Sequence, residues 1–98
     1  MSLILPLDII EKIQQEYKDQ YDCVEDLLTN QSFFHTEEEF ILRLIRSILF
    51  LSEGSIEQLQ KYLNIAKIDF RDVFYWAEYD QNNKQIRDFK KPFKGEYN

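Results

Sequence analysis

The sequence predicts an all-α fold: a compact bundle of four to five helices with an irregular basic C-terminal tail packed on the last helix. Three observations carry this expectation. Only two glycines and two prolines occur among 98 residues, too few for a turn-rich β architecture. The chain is 44% hydrophobic and 15% aromatic, enough for one bulky core but too short for two, so residues 1–98 are expected as one domain. Apolar residues also recur at helical spacing between recognisable start and stop signals.

Each element follows from a local signal. Asp8-Ile9-Ile10-Glu11 has the spacing of a capping box, and Ile10, Ile13 and Tyr17 continue on one face, giving a helix over about Asp8 to Lys18. Asp22-Cys23-Val24-Glu25 repeats the cap pattern ahead of Leu27 and Leu28. Nothing between the two segments breaks the chain, so one kinked helix and two separate helices are both open. Thr29 to Ser32 reads as a loop, and Phe33 and Phe34 follow it as apolar anchors. Thr36-Glu37-Glu38-Glu39 is the clearest capping box, with carboxylates loaded where the helix dipole favours them. The helix it opens is apolar over more than half its circumference and should lie at the centre of the bundle; Arg43, Arg46 and Ser47 form its narrow polar strip. Gly54 suits a left-handed C-cap. Ser55, with Gln58 three residues on, caps an antiparallel partner whose core stripe is Ile56, Leu59, Leu63 and Ala66. Asp69 offers a further cap, opening an aromatic helix, and the tail runs partly extended from about residue 80.

Charge narrows the function. The formal net charge is −6, which disfavours binding to nucleic acid or anionic lipid. Residues 1–50 hold ten acids and four bases, whereas residues 81–98 are basic by +3. The longest apolar run, Phe40 to Leu51, contains two arginines and falls short of a membrane span. Met1 to Leu5 lacks the basic region of a secretory signal. A cytoplasmic location without membrane contact is expected.

No residue is nominated as catalytic, cofactor-binding or metal-binding. Cys23, the one cysteine, is expected as a small buried hydrophobe. Pairing it with the lone His35 forms no recognised motif. The run Glu37-Glu38-Glu39 beside His35 is explained by helix-start charge rather than by a metal. Arg43 and Arg46 are candidates for an ion-pair network with neighbouring helices or for a small-anion site near Tyr62, because the guanidinium fork suits carboxylates. Residues 69–79 concentrate five aromatic rings, including the only tryptophan. On a helical wheel Phe70, Val73, Phe74 and Ala77 make a core stripe, with Arg71 and Glu78 on one flank. Asp72, Tyr75, Trp76 and Tyr79 lie off that stripe and form the candidate interaction surface. Two covers are open for them: the tail, through Ile86, Phe89 and Phe93, or another chain.

The stretch Glu53-Gly54-Ser55-Ile56-Glu57-Gln58-Leu59, then Asp69-Phe70-Arg71-Asp72-Val73 and Trp76-Ala77-Glu78-Tyr79, resembles a pattern in small uncharacterised bacterial helical proteins. The resemblance spans about the last half of the chain. It implies a bacterial, cytoplasmic, helical protein and brings no catalytic residues.

Three functional expectations result. The first is a noncatalytic protein–protein interaction or regulatory module that binds another protein or itself through the aromatic helix face. The second is a small-anion or ligand-binding protein or enzyme with its site near Arg43 and Arg46. The third is an acidic immunity or antitoxin-like protein, suggested by size and by the acidic N-terminal half.

Overall fold

A computed structural model describes residues 4–30 and 37–93. Helix α1 (Leu7–Tyr17) is followed by a single 3₁₀ turn (Lys18–Gln20), then α2 (Tyr21–Thr29), α3 (Glu38–Ser52) and α4 (Ile56–Glu78). The structure is mostly helical, and no strand occurs among the described residues; one isolated antiparallel bridge joins Tyr79 to Gln85. Phe33, Phe34, His35 and Thr36 lie outside the described residues.

The core assembles around α3. Ile41, Leu44, Ile45, Ile48 and Leu49 are all buried, and even Arg46 on its polar strip is only 5% exposed. Such a helix needs neighbours on most sides. Leu5, Ile9, Ile13 and Tyr17, spaced four apart, bring the N-terminal segment against it, and Val24 and Leu28 bring α2. Cys23 was expected inside and is exposed. Val24 and Leu28 fix the inward stripe of α2, and the residue before Val24 is rotated about 100° away from it.

Three helices start elsewhere than predicted: the N-cap of α3 is Glu37, without a side-chain bond, where the sequence placed Thr36. The N-cap of α1 is Pro6, whose carbonyl accepts from the Ile9 and Ile10 amides, so Asp8 lies inside the first turn with its carboxylate turned elsewhere. The N-cap of α2 is Gln20 rather than Asp22, without a side-chain bond. Between α1 and α2 the chain turns at Lys18, whose φ of 49° is left-handed.

The α3–α4 connection follows its sequence signals. Glu53 and Gly54 both take positive φ, and the Ser55 hydroxyl accepts from the Gln58 amide at 3.2 Å. Gly54 is required twice over. Its φ is +80°, and an added Cβ would stand 3.2 Å from the carbonyl oxygen of Glu16. The same turn receives the end of α1, where the Tyr17 hydroxyl reaches the Ser55 carbonyl at 3.4 Å. Burial, reinforced by the nearby Glu16 charge, pushes that phenol up to about 12 despite the opposing hydrogen bonds at the turn.

Helix α4 is not straight. Asp69 has extended dihedrals (φ −157°, ψ 100°) and divides it into residues 56–68 and 70–78. Its carboxylate accepts from the Arg71 amide at 3.1 Å, as a cap does. The second half folds back along α3: Phe40 meets the rings of Phe70 and Phe74, and Arg43 meets Phe74 and Glu78. Tyr62 and Trp76, each seven residues from Asp69, touch edge-on across the bend. Phe70 was expected in the core and is 40% exposed. It stands at the bend, where α3 offers only its first-turn Phe40 as cover.

Gly54→Ala should lower stability by about 1 kcal/mol or more, since alanine carries both the left-handed penalty and the close approach to Glu16. Urea unfolding followed by circular dichroism checks this, with Ser55→Ala expected to cost about 1 kcal/mol as a lost cap.

Candidate interaction surface

The polar strip of α3 reaches two carboxylates far away in sequence. Arg43 Nε donates to Glu78 Oε2 at 3.0 Å while its Nη2 donates to Glu78 Oε1. Arg46 Nε donates to Asp8 Oδ2 at 2.8 Å and its Nη2 to Asp8 Oδ1 at 3.1 Å. Both pairs are bidentate, the geometry in which arginine binds carboxylate best. Neither is the intrahelical pair with Glu39 that α3 alone would suggest.

Each carboxylate has a further partner in the C-terminal segment. Glu78 Oε2 accepts the Phe89 amide at 2.9 Å, and Asp8 Oδ2 accepts the Phe93 amide at 3.0 Å. Arg46 Nη1 also donates to the Phe89 carbonyl at 3.2 Å. Phe89, fully buried, lies 5.4 Å from the ring of Phe50 and 5.6 Å from that of Phe93. Sequence reasoning placed Glu78 on a flank and did not single out Asp8 as an ion-pair residue. The usable signal for Glu78 was its position four residues after the buried Phe74, on the same side of the helix.

Glu78 is an awkward residue at its position. Its side chain is fully buried, and it sits at the end of α4, where the helix dipole disfavours a negative charge. Arg43 and the Phe89 amide offset that cost. The guanidinium of Arg43 also lies 4.1 Å from the centroid of Phe74. Hydrogen bonding to Glu78, against the opposing effect of burial, raises the pKa of Arg43 further above its usual value. For Asp8, burial alone would raise the pKa. The Arg46 hydrogen bond, the Phe93 amide and the Arg46 charge outweigh it and hold the carboxyl below its ordinary value.

The outward face of residues 70–78 has a different character. Tyr75 and Trp76 are 45% and 46% exposed, and Asp72 is exposed beside them. Tyr75 stacks on Tyr79 with ring centroids 5.8 Å apart, and its hydroxyl donates to Asn83 Oδ1. Tyr79 is half-buried beneath the turn that its bridge to Gln85 closes. Ile86, Phe89 and Phe93 do not spread over these rings. The Ile86 and Arg87 amides are drawn to the Glu78 carbonyl at 2.7 and 3.1 Å, which leaves the Ile86 side chain exposed and aims Phe89 at α3. Exposed Ile68 lies near the bend, on the 56–68 half of α4.

Among the described residues no group of histidine, cysteine, aspartate and glutamate is arranged to hold a metal ion. No helix there is long and apolar enough to cross a membrane. No protein-family model, curated protein or solved structure matches the chain.

Removing one partner of the buried pair should be costly. Glu78→Ala is expected to destabilise the protein by about 3–5 kcal/mol, whereas the double change Arg43→Met with Glu78→Leu should cost much less, because no charge is then left buried alone. Denaturant midpoints of the two variants decide the point. Asp8 gives a pH signature. Its folded carboxyl lies below the ordinary 3.8, so its contribution is complete above about pH 4 and is lost as pH falls through the lowered value. Stability measured against pH should therefore fall less steeply on the acid side in Asp8→Asn than in the parent protein.

Proposed function

We propose that this protein is a noncatalytic interaction module that binds another protein chain, its own kind included, through Asp72, Tyr75, Trp76 and Tyr79. One observation carries the reading: Tyr75 and Trp76 stand side by side about half exposed, while Phe89 of the C-terminal segment is committed to α3 and Phe93 to α1. Tyrosine and tryptophan bury large areas at little entropic cost and dominate interface energetics. The Tyr75–Tyr79 stack and the Tyr62–Trp76 contact support it further, because they hold the rings in place before a partner arrives. The proposal takes residues 1–98 as one cytoplasmic domain, a bundle of four to five helices whose basic tail is laid on the last helix. It needs no cofactor, membrane or nucleic acid.

A second reading draws on the N-terminal half. In residues 4–30 the exposed acids Glu11, Asp19, Asp22 and Asp26 face only one exposed base, Lys18, because Lys12 is buried. That surface suits a basic protein, as an immunity or antitoxin-like role requires. The small-anion reading at Arg43 and Arg46 is the weakest. Both guanidinium forks are already filled by carboxylates, and an anion would have to displace Glu78 or Asp8.

Tyr75→Ala combined with Trp76→Ala should weaken association at least tenfold while leaving the thermal midpoint within a few degrees of the parent, because both rings are half exposed. Sedimentation velocity and affinity capture, paired with thermal unfolding, check it. A monomeric protein that captures no partner contradicts the proposal. Association that collapses with salt but ignores these substitutions selects the acidic face instead.

A further inference from the structure

Residues 85–93 are fastened to the body largely through their main chain. The Glu78 carbonyl accepts the Ile86 and Arg87 amides, and the Glu78 carboxylate accepts the Phe89 amide. Arg46 donates to the Phe89 carbonyl, and Asp8 accepts the Phe93 amide. Side chains add Phe89, buried against Phe50, and Phe93, whose ring lies 5.2 Å from Lys12 Nζ. Main-chain hydrogen bonds alternating with side-chain pockets are how a groove takes up an extended peptide. Every group that receives the segment here comes from a residue before the turn at 80–84.

The segment can leave without stranding a charge. Asp8 keeps Arg46, and Glu78 keeps Arg43, whether or not residues 85–93 are in place. Departure therefore costs the apolar surface of two phenylalanines, the Arg87 contacts to the Phe50 ring and the Ala77 carbonyl, and a set of main-chain hydrogen bonds, not an orphaned buried ion. The turn itself is held locally. Asp80 Oδ1 accepts the Asn82 and Lys84 amides, and Asn83 takes a left-handed φ of 63°.

We propose that two copies of this chain exchange residues 85–93, with residues 80–84 as the hinge, so that each copy's Phe89 and Phe93 fill the groove of the other. The occupant is fixed by chemistry already on the molecule. The groove fits a segment with phenylalanines four residues apart, and a second copy supplies that segment unchanged. Inside each groove the exchanged dimer has the same contacts as the closed monomer, so the balance is set by the hinge and by protein concentration. This exchange does not depend on the Tyr75–Trp76 face and is separable from it.

The test uses the full chain, refolded at high concentration and analysed by sedimentation velocity. The parent protein should give a slowly interconverting dimer. Phe89→Ala and Phe50→Ala each remove the same contact from the dimer and from the closed monomer, so neither alone should change the dimer fraction. Deleting residues 82–83, which leaves the turn too short to close, should raise it at least tenfold. An equal mixture of the two point variants, refolded together, should give more dimer than either alone, because one groove of the heterodimer then joins an intact body to an intact segment. Circular dichroism establishes that each variant is helical, and the half-buried Phe93→Ala replaces Phe89→Ala if the latter fails to fold. Tyr75→Ala with Trp76→Ala should leave this dimer intact. A parent protein monomeric at every concentration overturns the proposal. So does a mixture that gives no more dimer than either variant alone, or a shortened turn that leaves the protein monomeric.

Discussion

Two arginines on one buried helix decide how the rest of the chain is arranged. Arg43 and Arg46 emerge from the most apolar helix of the protein, where an unpaired guanidinium could not be tolerated. Each takes a carboxylate in bidentate fashion, one from the end of α4 and one from the start of α1. Those pairs tie three helices to one another at a single polar seam. Because the oxygen of each carboxylate that accepts the arginine Nε has a second lone pair for a tail amide, the same seam fixes where Phe89 and Phe93 go. The aromatic face follows from this arrangement. Once Phe89 is drawn towards α3, the tail meets this face through Asn83 and Gln85, and Tyr75 and Trp76 stay about half exposed.

The energetics explain why this polar seam shapes the fold more than it adds to stability. Burying an ion pair seldom gains much over well-packed apolar side chains, but losing one partner costs several kcal/mol. The arginines therefore penalise any packing in which α1 or the end of α4 is displaced. The apolar contacts of α3 supply the bulk of the driving force, at about 1.5–3 kcal/mol for each fully buried large side chain. Specific placement and driving force thus come from different faces of the same helix.

How much of this was legible in the sequence depends on range. The left-handed turn at Gly54, the Ser55 N-cap, the core stripe of α4 and the central position of α3 are local patterns, and the structure has each of them, with Glu53 rather than Gly54 as the C-cap of α3. Asp69 as a chain break was also local, although nothing near it indicated that residues 70–78 would fold back along α3. The misses involve partners distant in sequence. Asp8 has the same spacing in a capping box as in an ion pair, and only the arrival of Arg46, 38 residues away, distinguishes the two. Glu78 reads as a surface residue until Arg43 is placed beside it. Cys23 and Phe70 failed for a different reason: an apolar side chain is buried only where another element reaches it, and neither α2's outer side nor the bend at Asp69 is covered.

The central claim is that Glu78 and Asp8 each hold an arginine and a tail amide at once. Native-state hydrogen exchange at the Phe89 and Phe93 amides tests it most directly. Both amides are expected to exchange far more slowly than that of Asn82, which is bonded only within the exposed turn. Exchange of Phe89 and Phe93 as fast as Asn82 would contradict it.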